Sequence, residues 1–157
     1  MSIPKTLRFV VAVRHGEYDA AKRLDGIGKS QMTLLAEALT PLLHEVQEEH
    51  IRIFHSPFRR AEESAQIIRT KFALSKMAEE RTLLGGTFAF GVQDAKTILG
   101  KLEDDIEAVI FVTHCEAPSG IIHRFASSAG RCYPQETTEK GKGLLLNLTT
   151  REILRIP

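Results

Sequence analysis

The sequence is short of several things that would announce a function. Of its 157 residues only two are cysteines, Cys115 and Cys132, and they form no Cys-x-x-Cys pair. There is no disulfide framework to read, and a reducing, cytoplasmic compartment is the natural expectation. Neither sign of charge is in excess: 21 basic residues face 20 acidic ones, for a net charge of +1. No global field therefore draws the chain to nucleic acid or to an anionic membrane. No apolar run approaches the length of a membrane span. The stretch after Lys5 and Arg8 is too short for a signal-peptide core, and no small-residue cleavage site follows it. Repeats, low-complexity tracts and linkers are missing as well. A single domain over residues 1–157 is the simplest organisation, with enough chain to bury a substantial core.

What the chain does have is alternation. Leu7–Val13 reads as a first strand, and Tyr18–Gly28 as a polar loop. Asp25 caps a helix through Gln31, Leu34, Leu35, Ala38 and Leu39, which recur at helical spacing. Thr40-Pro41 should end or kink that helix, with a further turn or two over Leu42–Glu49. Ile51–Phe54 is a second strand, and from Pro57 a helix begins with proline in its first turn. Leu83–Gly91 is expected to be loop and Val92–Leu102 helix. Ala108–Val112 is another apolar strand, Pro118–Ala129 a helix, Arg131–Gly143 irregular, and Leu144–Leu148 with Ile153–Ile156 a closing hairpin. Strands alternating with helices predict an α/β fold, a three-layer α/β/α sandwich around a mostly parallel central sheet.

The chemistry gathers where strands end. Val10–Val13 empties into Arg14-His15-Gly16, at the strand end where open α/β sheets place their ligands. Arginine offers a planar fork for phosphate, and histidine is a nucleophile or proton carrier near neutral pH. Gly16 would let the backbone approach an anion closely. Ser56-Pro57-Phe58-Arg59-Arg60-Ala61 follows the second strand and opens a helix, whose amino terminus favours anions. Thr113-His114 closes another buried strand. Bland readings exist for each: Arg59 and Arg60 as surface partners of Glu62 or Glu63, and His114 as a satisfied structural residue. Other fragments lead nowhere. Gly28-Lys29-Ser30 lacks the first glycine of a P-loop, since Arg23 stands there. Cysteine phosphatases need an arginine six residues beyond the cysteine; Ile121 stands there, so Cys115 reads as a small packed residue. His44 and His50 read as surface residues, and His55 as a residue that could touch the pocket rim. Lys140 and Lys142 could reach a bound phosphate from a late loop that otherwise reads as a solvated turn.

Taken in order, Arg14-His15-Gly16, Leu24-x-x-x-Gly28-x-x-Gln31, Ser56-Pro57-x-x-Arg60-Ala61 and His114 resemble the histidine phosphatase superfamily, the phosphoglycerate-mutase-like fold. Within it the chain looks most like the small phosphohistidine phosphatases of the SixA type. The resemblance implies that His15 takes up the phosphoryl group, Arg14 and Arg60 clamp its oxygens, and His114 donates a hydrogen bond to it. Gly16, Glu17 and Ser56 are the further substrate-binding candidates, Ser56 by orienting Arg60 or capping its helix. Two arginines can neutralise phosphate oxygens without a metal, and no cofactor is called for. The guanidinium charges should lower the pKa of His15.

The sequence departs from many relatives in one respect. The carboxylate that protonates the leaving oxygen would fall near Leu83-Leu84-Gly85-Gly86, where there is none; Glu79 and Glu80 lie upstream, and Glu17 and Glu116 flank the histidines. Imidazole needs less help to depart than an alkoxide, its conjugate acid having a pKa of about 6.5. The short Arg60–His114 connection predicts a shallow, open pocket. Both features favour a phosphorylated protein, with phosphohistidine as the group cleaved. A small phosphomonoester is the alternative substrate, and a non-catalytic phosphate-binding module the alternative function.

Overall fold

Residues Val10–Val13 retain no accessible surface, because strands flank them on both sides and helices cover both faces. The computed structural model describes residues 1–84 and 90–157. In chain order the elements are β1 (Phe9–Arg14), α1 (Gly26–Leu42), β2 (Ile51–His55), α2 (Arg59–Lys71), β3 (Ala78–Glu79), α3 (Val92–Leu99), β4 (Ala108–Thr113), α4 (Ala117–Ser128), β5 (Gly143–Asn147) and β6 (Ile153–Ile156). The strands form one sheet in the order β3-β2-β4-β1-β5-β6. The first four run parallel, and β5 and β6 close the far edge as an antiparallel hairpin. This is the three-layer, mostly parallel sandwich that the alternation predicts.

The period of two sorts the core into two layers. Phe9, Val11 and Val13 pack with α1 and α2, whereas Val10 and Ala12 pack with α3 and α4. Each buried valine or phenylalanine side chain here contributes about 1.5–3 kcal/mol. The same division places the site. After β1 the chain leaves towards the α1 face, and after the neighbouring β4 it leaves towards the α4 face. Loops that part to opposite faces open a crevice at the carboxyl ends of the strands. Arg14 pairs with Thr113 across this point, so His15 and His114 emerge side by side.

The element boundaries moved for local reasons. Asp25 caps α1 as expected, accepting the Gly28 N–H at 2.8 Å. Pro41 lies inside the last turn of α1, and the chain beyond is not the helix expected over Leu42–Glu49. Leu43 and Val46 are buried, and only Glu48–His50 forms a 3₁₀ turn. Helix α2 starts at Arg59, not Pro57, because Phe58 is extended at φ −68°, ψ 138° and its N–H bonds to Ser56 Oγ at 3.3 Å. Helix α3 stops at Leu99 where Gly100 caps it. Strand β3 was not foreseen; two exposed residues are too few to show an alternation. Of the loop expected over Leu83–Gly91, residues 85–89 lie outside the described residues, and so does half of Leu83-Leu84-Gly85-Gly86. No helix among the described residues is long and apolar enough to cross a membrane.

Candidate active site

His15 and His114 meet at the carboxyl ends of β1 and β4 with ring centroids 5.0 Å apart and planes at 62°. Arg60 reaches them from the first turn of α2, its Nε donating to His15 Nε2 at 3.1 Å. Arg14 occupies the last position of β1. Its Nη1 donates to the Thr138 carbonyl at 2.9 Å, and its Nε is buried with no partner among the described residues. The structure therefore brings the two imidazoles and Arg60 into direct contact, with Arg14 beside them at a strand end.

The hydrogen bonds of His15 assign its protons. Nδ1 lies 2.8 Å from the Gly16 carbonyl oxygen. A carbonyl can only accept, so Nδ1 carries the hydrogen. A guanidinium can only donate, so Nε2 presents a lone pair to Arg60. This is the tautomer a nitrogen nucleophile needs. The ring is 2% exposed, and its pKa falls to about 4. Burial is the largest cause; the Gly16 bond opposes it, and the charges of Arg60, Arg14 and Lys140 add to the fall. The arginines expected to lower it are thus secondary to desolvation. His114, 6% exposed, drops to about 3, again through burial first, then through His15, Arg60 and Arg14.

A folded-state pKa below the unfolded value means that the unfolded chain binds protons first. The stability these rings contribute is complete above about pH 6.5 and is lost as pH falls, towards about 4 for His15 and about 3 for His114. In a proton NMR titration, the C2 proton of His15 should hold its shift down to about pH 5.5 and move with a midpoint near 4. A midpoint near 6.5 would mean a solvated ring and a different site.

Aromatic rings form the walls. Tyr18 lies edge-on to His15 at 5.4 Å, and Phe58 edge-on to His114 at 5.1 Å. The Arg60 guanidinium carbon is 4.7 Å from both of their ring centroids. Such contacts contribute about 0.5–1 kcal/mol each at exposed sites, and they hold the fork beside His15. Both histidines are buried beside these rings. Neither Tyr18 nor Phe58 stood out in the sequence. The available signal was weak: an aromatic residue two positions before Arg60, and another three positions after His15.

The remaining candidates divide. Gly16 is closely packed. Its N–H donates to Ser64 Oγ at 3.2 Å, and a Cβ there would sit 2.6 Å from the Gly28 carbonyl oxygen. The missing side chain thus lets the loop press against the first turn of α1. Glu17 accepts Lys140 Nζ at 2.8 Å while its N–H donates to Gln31 Oε1 at 2.9 Å. Lys140 accordingly belongs to the rim, and Lys142 pairs outward with Glu139. Ser56 is fully buried, with its hydroxyl 2.6 Å from His114 Nε2 and not on Arg60. Arg59 is the surface residue of the pair, bonded to Glu63 at 3.4 Å. His55 is buried and donates from Nδ1 to the Ser56 carbonyl at 2.9 Å.

The carboxylates are committed elsewhere. Glu80 is buried against Lys101 and accepts from Thr82, while Glu79 and Glu116 are exposed. No carboxylate among the described residues bonds to His15 or His114. Nor do three or more His, Cys, Asp or Glu side chains among them gather as metal ligands would. A cavity of about 410 Å³ runs along Glu136–Glu139, Lys142–Leu144 and the end of β6, and neither histidine lines it.

The sequence matches no model of a known family and no curated protein sequence. The structure does match solved ones. It is similar to the protein histidine phosphatase SixA in complex with tungstate, with a TM-score of 0.65 and 20% identity over 94% of this chain and 96% of that one. A mycobacterial glucosyl-3-phosphoglycerate phosphatase matches with a TM-score of 0.59 and 15% identity, over 94% of this chain and 96% of the other. A phosphoglycerate mutase from Plasmodium falciparum matches with a TM-score of 0.55 and 17% identity, over 94% and 87%.

Proposed function

We propose that this chain, which has the histidine-phosphatase or phosphoglycerate-mutase-like fold, is a phosphatase acting through a covalent phosphohistidine on His15. One observation carries the reading: the His15 Nε2 lone pair is held against Arg60, while beside it two buried nitrogens, the donor Arg14 Nε and His114 Nδ1, have no partner among the described residues. A tetrahedral oxyanion presents its phosphorus to that lone pair and acceptor oxygens to Arg60, to Arg14 Nε and to a protonated His114 Nδ1. Phosphoryl transfer asks mainly for such positioning and charge neutralisation.

In the first step Nε2 attacks phosphorus in line and the bond to the leaving group breaks. The His15 ring then carries phosphorus on Nε2 and hydrogen on Nδ1, and its positive charge is met by the Gly16 carbonyl. In the second step water attacks phosphorus, phosphate departs, and the ring returns to the neutral Nδ1–H form. No proton has to leave His15 at either stage. Arg14 and Arg60 neutralise the non-bridging oxygens throughout.

The favoured substrate is phosphohistidine on a protein. With Glu17 held by Lys140 and Glu80 held by Lys101, no carboxylate among the described residues bonds to either histidine where it could protonate an alkoxide. A departing imidazole takes its proton from water on the other ring nitrogen and leaves neutral. The similarity to SixA, described as a protein histidine phosphatase, supports this choice; the glucosyl-3-phosphoglycerate phosphatase supports the phosphomonoester alternative. Turnover of a phosphohistidine protein and of phosphosugars should be compared directly, with vanadate and with a chelator. We expect vanadate inhibition, indifference to the chelator, and a preference for phosphohistidine in kcat/KM of about 10²-fold or more, the usual worth of a general acid. Preference for the sugar would overturn the substrate, and failure to turn over either would overturn the phosphatase.

A further inference from the structure

We infer that Ser56 is a positioning residue: its hydroxyl fixes the proton of His114 on Nδ1 and so makes that nitrogen a hydrogen-bond donor to the transferring phosphoryl group. The inference rests on the phosphatase reading above and adds a residue that acts only through another.

The geometry leaves two proton arrangements for the pair. Ser56 Oγ lies 2.6 Å from His114 Nε2 and accepts the Phe58 N–H at 3.3 Å. In the first arrangement the hydroxyl donates to Nε2 and the hydrogen of the ring sits on Nδ1. Every polar group of the pair is then satisfied except the Nδ1–H, which is buried beside His15. In the second, Nε2–H donates to Oγ. The hydroxyl hydrogen then has no acceptor among the described residues, and Nδ1 presents a bare lone pair. That leaves two groups unsatisfied instead of one, each at a cost in a buried site. It would also set a lone pair against phosphate oxygens. The first arrangement wins on both counts.

Ser56 is well held for the task. Its N–H donates to the Val112 carbonyl at 3.0 Å, extending the register of β2 against β4. Its carbonyl accepts His55 Nδ1 at 2.9 Å. The buried, otherwise unused His55 thereby gains a place in the site: it holds the backbone of the residue that orients His114. Low solvent access also keeps His114 neutral, and a neutral ring has only one proton to place.

The test is spectroscopic first. Two-bond proton–nitrogen correlations on the full-length wild type, with its histidines labelled, read each ring's tautomer; His114 is expected as the Nδ1–H form. Ser56→Ala should move population to the Nε2–H form and lower kcat on a phosphohistidine protein by roughly 10- to 100-fold with KM little changed, somewhat less than the loss of an oxyanion donor itself. Ser56→Thr, which keeps the hydroxyl, should restore both. His114 carrying its proton on Nε2 in the wild type would overturn the inference outright, whatever the variants do. A Ser56→Ala protein that loses activity with the tautomer unchanged would reduce Ser56 to a packing role. If the wild type turns over no phosphorylated substrate, the phosphatase reading fails while the tautomer measurement still decides what Ser56 does.

Discussion

Replacing His15 by alanine is expected to lower turnover by about 10⁴-fold or more, the scale on which enzymes lose a covalent nucleophile. It should also abolish transfer of labelled phosphate to the chain. The effect is large because no neighbour can stand in. His114 lies close enough to be considered, but its Nε2 is bound to Ser56 and its other nitrogen is assigned as a donor. The substitution should leave the fold intact, since among the described residues the ring's only backbone tie is to the adjacent Gly16 carbonyl. Acid-quenched labelling of wild type and variant, with circular dichroism as the check on folding, decides the matter. A folded His15→Ala protein that still traps phosphate would move the nucleophile elsewhere. One that keeps phosphate affinity, beside a wild type that never turns over, would identify a binding module.

Arg60→Ala is the second large expectation, a loss in kcat/KM of about 10³-fold, the low end of what a phosphate-neutralising arginine supplies. Arg60→Lys should recover little of it. The guanidinium lies against both Phe58 and Tyr18 while its Nε meets His15, which a planar fork can do and a single ammonium cannot. Burial remains the larger cause of the low His15 pKa, so the acid limb of the residual activity should rise only slightly. Steady-state kinetics across pH would show it. Near-normal activity in Arg60→Ala would dismiss the clamp and leave the nucleophile untouched.

Much of the architecture was legible because local and long-range signals agree. Val10–Val13 and Ala108–Val112 are apolar runs too short for helices and lie next to one another in the sheet. The ends of those runs named Arg14, His15 and His114 as neighbours, since adjacent parallel strands deliver their last residues to one place. Arg60 was separable from Arg59 in the sequence only through the resemblance of Ser56-Pro57-x-x-Arg60-Ala61 to a family pattern; helical geometry supplies the physical reason, turning Arg60 onto His15 and leaving Arg59 to Glu63. Ser56 was visible as a residue of interest, but its partner was not, because the bond spans 58 positions and depends on β2 lying beside β4. Gly16 is legible as a place where a side chain would not fit, but the backbone of Gly28 that crowds it is not, because that contact depends on how α1 packs against the loop. Thr138 carries no sequence signal at all, since what it offers Arg14 is a carbonyl oxygen that every residue has.

That last contact bears on how the protein comes into being. Arg14 and His15 are made early, yet the groups that hold their backbone and fork come from the late chain. Gly141 N–H donates to both of their carbonyls, Lys142 O accepts the Arg14 N–H, and Thr138 O accepts its guanidinium. Gly141 adopts φ +70° to do this, a conformation that glycine takes with little strain. A nascent polypeptide halted on the ribosome before this segment emerges would display the Arg-His-Gly turn without its brace. Catalytic competence should therefore arrive late in synthesis and all at once.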